Sequence, residues 1–239
     1  MASDLPSSAF HKFRGLIRLF LAWICGCVKR KKENDKNAVL VLEEETFDLL
    51  KRITHAARRC IMSEQYFNVT SGLENPFLVY CQNCFGEQCV LHWSTLFGSH
   101  TGEPTHFKSV FNRPDVQAVS NGVIDVDWFR SEFIRDIGMT DKEYKEFWKK
   151  AHDMRNKYIA HRDDLSGGVY FPDVEICKKQ CGSLIRSTAR LLETSISNGD
   201  TREDVKTLHE YLVDNGSERG VELECSHAIR QSSFLTDEN

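Results

Sequence analysis

Between residues 43 and 215 the periodic apolar segments of this chain repeat at helical spacing, and no pair of segments alternates as two strands would. A chain of this kind must bury helix against helix. Phe47, Leu50, Ile53, Thr54, Ala57 and Ile61 mark a first long helix over about residues 43–66. Asn75-Pro76 pairs a capping amide with the residue best suited to a first helical position, so a second helix runs from there to about Phe97. Gly98 to Pro104 reads as a polar loop, with a short helical piece from Pro104 to Phe111. Asp125 caps a helix whose Trp128, Phe129, Phe133 and Ile137 form a half-buried face, and Gly138 ends it. Thr140 and Glu143 form a capping box that starts the next helix. Pro172 opens another through about Ser197, and Asp200 caps a last one ending near Asn215-Gly216. Residues 217–239 read as a weakly structured tail, and no internal repeat is visible. The expected fold is all-α, an up-and-down-like bundle of roughly five to seven helices with mostly antiparallel neighbours.

The helix opened by Thr140 carries the chemistry. On a 100° wheel Phe147, Ala151, Met154, Tyr158 and Leu165 form one narrow core stripe. The same helix ends in Arg155-Asn156-Lys157-Tyr158-Ile159-Ala160-His161-Arg162. Arginine holds a phosphate with a planar fork of donors, histidine moves a proton near neutral pH, and asparagine can orient either group. Together they can act on a phosphodiester without a metal. Arg155 and His161 stand about 120° apart on an ideal helix, so convergence needs a bend at the helix end or a second copy across a dimer interface. The structural alternative is that His161 serves the helix C-terminus and its free carbonyls, while Arg155 pairs with Asp141 or Asp163.

Arg155, Asn156 and His161, in the order Arg-polar-x4-His, resemble the signature of the HEPN superfamily of helical bundles, many of them metal-independent endoribonucleases. The run from Arg155 to Asp163, with Phe171-Pro172-Asp173 restarting helix shortly after, is most similar to the abortive-infection branch, which defends bacteria against phage. The resemblance spans roughly residues 40–197 and implies a site built from two protomers. It implies His161 as general acid or base for attack of a ribose 2'-hydroxyl on the adjacent phosphate, Arg155 as the group stabilising the phosphate charge, and Asn156 as the orienting residue. RNA is then the substrate, and a homodimeric ribonuclease of phage defence or of a toxin-antitoxin pair is the expected function, with an antitoxin or other partner protein. The alternative is a non-catalytic helical module that binds nucleotide, RNA or protein.

The net charge of -4 does not mark a nucleic-acid binder, so RNA contact has to come from a local patch. Lys149, Lys150, Lys157 and Arg162 are the candidates, with Lys142 and Lys145 beside them and Glu143, Glu146 and Asp153 partly neutralising the helix. Nine cysteines, scattered over helical segments, read as reduced thiols packing as small hydrophobes in a cytoplasmic protein. Cys81, Cys84, Cys89 and His92 have the spacing of a zinc knuckle, but Phe77, Cys81, Cys84, Gln88, Leu91 and Thr95 recur at helical intervals. They are therefore expected as a buried helix face, with no metal and no cofactor.

Residues 1–37 form a basic and apolar extension with a polar linker, residues 38–200 the bundle, and residues 201–239 a C-terminal helix and tail. The apolar run Leu16 to Val28, interrupted by Arg18 and flanked by basic residues, is too short to span a bilayer. It fits a helix docked on the bundle, or an amphipathic helix on an anionic membrane surface that would make the protein peripheral.

Overall fold

The computed structural model of the chain describes residues 40–72, 74–156, 171–214 and 218–233. Expectations for the N-terminal extension and for Lys157, Tyr158, His161, Arg162, Asp163 and Leu165 lie outside these. Among the described residues the chain is all-helical, with no strand. The elements are α1 (Glu44–Thr70), α2 (Pro76–Phe97), α3 (Phe107–Phe111), α4 (Pro114–Val119), α5 (Val126–Ile137), α6 (Asp141–Asp153), α7 (Val174–Ser197), α8 (Glu203–Asp214) and α9 (Glu218–Ser233).

Local chemistry fixes most of these boundaries. The Asn75 side chain accepts from Phe77 N at 2.9 Å, with Pro76 at the first helical position of α2. The Asp125 carboxylate accepts from Trp128 N at 2.7 Å to start α5, and Gly138 ends that helix at φ 69°, a left-handed value that costs glycine nothing. Asp173, one residue after Pro172, caps α7.

α1 and α2 form an antiparallel hairpin. Cys60 meets Cys89 near the middle, and the rings of Tyr66 and Phe85 stack toward the turn, with centroids 5.2 Å apart. α7 packs against both helices, with α5 and α8 against α7 and α9 against α1. The core contains Phe47, Leu50, Ile53, Ala57 and Ile61 of α1, the stripe expected from spacing, and the aromatic group Trp93, Phe97, Phe129, Phe133 and Phe147.

Two expectations need correction. The buried face of α2 is Gly86, Cys89, Val90, Trp93, Leu96 and Phe97, whereas Phe77 is 69 % exposed, Gln88 is exposed, and Cys81 and Cys84 are half-buried. Glu87 is the single acidic or basic residue of this helix apart from His92, so apolar spacing fits more than one face and tertiary packing chooses. Residues 218–233, expected as tail, are the helix α9, whose Val221 and Cys225 are buried. Arg58 on α1 holds Glu224 at 2.7 Å. α4 is an element that periodicity missed.

Four fully buried thiols meet inside the bundle: Cys60 of α1, Cys89 of α2, and Cys177 and Cys181 one turn apart on α7. Burial pushes the Cys60 and Cys177 thiols up, as expected of core sulfur. Nearby, a buried amide ties three helices. The Trp93 indole N–H donates to Gln180 Oε1 at 2.8 Å, and Gln180 Nε2 donates to the Tyr144 hydroxyl at 3.0 Å. Burial pushes the Tyr144 phenol up to about 12, so it remains a neutral partner.

Replacing Gln180 with Leu leaves the indole N–H and the phenol buried without that partner. We expect a loss of roughly 2–4 kcal/mol in urea unfolding, with the helical circular-dichroism signal retained at zero denaturant. A second prediction concerns His106, the N-cap of α3, which is 2 % exposed; its Nδ1 accepts from Lys108 N at 3.2 Å. Burial, with His100 and Lys108 adding, holds its pKa at about 4. The unfolded chain takes up this proton near pH 6.5 and the folded chain does not, so the stability from His106 is full above about pH 6.5 and declines as pH falls toward 4. His106→Asn, which keeps a capping group, should remove that part of the acid sensitivity, up to about 3 kcal/mol between pH 7 and 4 by denaturant titration.

Candidate functional site

The last turn of α6 and the three residues after it form the site. The capping box at the start of this helix is complete: Glu143 N donates to Thr140 Oγ1 at 3.3 Å, and Thr140 N donates to Glu143 Oε2 at 2.7 Å. Tyr144, Phe147, Ala151 and Met154 face the core, so Lys142, Lys145, Lys149 and Lys150 stand on the exposed side. Arg130 of α5, not Arg155, holds Asp141 at 2.9 Å. Regular α-turns stop at Asp153, and residues 154–156 continue as a wider π-turn, a distortion common at functional sites. Met154 is buried, Arg155 is exposed and Asn156 is half-buried at that turn.

His152, Arg155 and Asn156 form one connected group. Arg155 Nη1 donates to Asn156 Oδ1 at 2.7 Å. Because a guanidinium only donates, this contact fixes the amide orientation and turns Asn156 Nδ2 toward His152. That nitrogen lies 3.1 Å from Nδ1 and 3.2 Å from Nε2 of the ring. The imidazole stacks on the Trp148 indole, centroids 4.7 Å apart and planes 15° apart. Trp148 Nε1 in turn donates to the Phe97 carbonyl at 2.8 Å, at the end of α2.

A cavity of about 650 Å³ opens beside this group, lined by His152, Arg155 and Asn156 from one side and by Gln88, His92 and Thr95 of α2 from the other. Glu103 of the following loop also borders it. Burial holds the pKa of His92 below the usual histidine range, with Arg59 and His55 adding to the effect, so His92 is neutral at pH 7 and can accept a proton. The cavity thus combines a guanidinium, an amide, a neutral imidazole, a second imidazole and a carboxylate.

Of the residues expected from sequence, Arg155 and Asn156 meet in this cavity, while His161, Lys157 and Arg162 lie outside the described residues. Lys149 and Lys150 are exposed on α6 and are not among the cavity's lining residues. Lys108, Arg130 and Lys145 line a neighbouring cleft of about 390 Å³, which shares Gly98 with the first cavity and has Trp148 in its wall. Two lining residues went unrecognised in the sequence. His152 is three residues before Arg155 and four before Asn156, the spacing at which helical side chains touch, so it was findable. By spacing His92 is the last member of a cysteine string, but Cys89 turns into the thiol group while His92 borders the cavity. No group of three or more His, Cys, Asp or Glu among the described residues is arranged to hold a metal ion. None of their helices is long and apolar enough to cross a membrane.

No protein-family model matches the chain, and no curated protein or solved structure matches it either.

The His92 environment makes a spectroscopic prediction. In a two-dimensional NMR titration its ring should protonate below the ordinary pKa near 6.5, and Arg59→Gln should move that transition upward. A wild-type transition at or above the ordinary value would contradict the burial and charge described.

Proposed function

We propose that this chain is a HEPN-like, metal-independent endoribonuclease that works as a homodimer, in phage defence or as the toxin of a toxin-antitoxin pair. The observation that carries the reading is the convergence of Arg155 and Asn156 on one polar cavity that also contains two histidines. Arg155 is suited to stabilise charge on a phosphate undergoing attack, and Asn156 to orient it. His161 is the proton-transfer group in this reading, acting across the dimer. The reaction is attack of the ribose 2'-hydroxyl on the adjacent phosphorus with departure of the 5'-oxygen, which leaves a 2',3'-cyclic phosphate and a free 5'-hydroxyl end. A base takes the 2'-hydroxyl proton and an acid returns one to the leaving oxygen. DNA lacks the nucleophile and should resist. Exposed Lys149 and Lys150, with Lys157 and Arg162, supply phosphate contacts outside the cavity.

The test is cleavage of a mixed RNA pool with and without chelator, alongside single-stranded DNA. His161→Ala should lower the rate by about 10²–10⁴-fold, and Arg155→Ala by about 10²–10³-fold, with melting temperatures close to wild type. Cyclic-phosphate ends on the products identify the chemistry. RNA or nucleotide binding without cleavage by the wild-type dimer would favour the non-catalytic module instead.

A further inference from the structure

We infer that His152 is a positioning residue, the link through which the bundle core fixes the Arg155–Asn156 pair. The inference rests on the ribonuclease reading for its consequence in activity, and on the geometry of α6 for its mechanism. An arginine side chain on an exposed helix end samples many rotamers, and a site that must hold a phosphate gains by having that freedom removed beforehand. Four consecutive contacts do so here. The Phe97 carbonyl, at the end of a core helix, receives the Trp148 indole N–H at 2.8 Å, across 51 residues of sequence. The indole presents its face to the His152 ring, nearly parallel at 4.7 Å. Asn156 Nδ2 lies 3.1 and 3.2 Å from the two ring nitrogens, so the amide rests over the imidazole face, and Asn156 Oδ1 receives Arg155 Nη1 at 2.7 Å.

Each link limits the next. The hydrogen bond to Phe97 fixes the plane of the indole, the plane of the indole fixes the imidazole, and the imidazole supports the Asn156 amide, whose O/N orientation the Arg155 contact sets. The amide then determines where the guanidinium rests. The π-turn at residues 154–156 is part of the arrangement, because Asn156, which it carries, contacts His152 and receives Arg155. Isolated helix-surface residues would need none of this. Trp148 is half-buried, so its indole can join the core and the site at once. His152 therefore belongs to the site through Asn156, and its ring need not touch substrate to matter.

The test compares wild-type protein with His152→Ala, His152→Gln and Trp148→Phe. The first readout is the Asn156 side-chain amide and the Arg155 Nε–H in ¹⁵N NMR, which does not depend on any activity. In wild type the Asn156 amide protons should be shifted from random-coil positions, and His152→Ala should return them there and broaden the Arg155 signal. His152→Gln, which keeps a planar polar group at that position, should recover most of the shift, and Trp148→Phe, which loses the bond to Phe97, should fall between. The second readout is single-turnover RNA cleavage, where His152→Ala should lose about 10–100-fold and His152→Gln should stay within about threefold of wild type. Unchanged Asn156 and Arg155 signals in His152→Ala overturn the inference, whatever the cleavage result. A wild type that shows the amide signature and does not cleave RNA overturns the ribonuclease reading and leaves the positioning chain supported. Should His152→Ala fail to fold, His152→Gln and Trp148→Phe decide by the same amide signals: a wild-type pattern in Trp148→Phe overturns the chain, and an intermediate one supports it.

Discussion

Gln180 sits where the architecture converges. It is a fully buried amide on α7 that accepts from the indole of α2 and donates to the phenol of α6, so one side chain sets the relative register of three helices. Apolar packing alone tolerates small slides of one helix on another, since oil-like contacts lack direction. A buried polar network does not, because any displacement strands a donor or acceptor away from water. The position of α6, and with it the site at its C-terminal end, depends on that requirement. Phe133, Tyr144 and Phe147 then fill the space around the bridge, with edge and tilted ring contacts between 5.1 and 6.3 Å.

The site itself is a departure from regularity held by regularity. α6 has a complete capping box at one end and a π-turn after the other, and its core stripe of Tyr144, Phe147 and Ala151 keeps the intervening turns in place. Because the stripe is secured by the bundle, the final turn can widen without loosening the helix. The cation and amide of the widened turn join the His152 imidazole of the last regular turn on one cavity wall, opposite the His92 edge of α2. Arg130 and Asp141 act at the far end of the same helix, so the charge that pairs there does not compete with Arg155.

The parts of the fold legible in the sequence are those encoded locally. Asn75 with Pro76, Asp125 with Gly138, and Thr140 with Glu143 each satisfy backbone groups within a few residues, and the structure has helix ends at all three. The burial of α2 was not legible, because a helix with almost no charge gives no sign of which side meets water. α9 was missed for the opposite reason: its sequence is polar throughout apart from a few residues such as Val221 and Cys225, and only the presence of α1 makes a core for them. At the site, Arg155 and Asn156 could be found from a motif, and His152 from helical spacing. His92 could not, since nothing in a one-dimensional string says that α2 runs alongside the end of α6.

The thiol group inside the bundle has a consequence for how the chain acquires its structure. Cys60 and Cys89 belong to a hairpin synthesised before α7, which supplies Cys177 and Cys181, and before α9, which packs on the same hairpin. The α1–α2 hairpin emerges from synthesis with its inner face uncovered, and α2 has little charge to keep that face soluble. Contacts this distant in sequence raise the contact order above that of a bundle whose neighbours are consecutive, and they slow the search for the native state. Among the described helices, the first to leave synthesis are thus the ones that wait longest for their partners, and there a nascent chain most needs shielding from other chains.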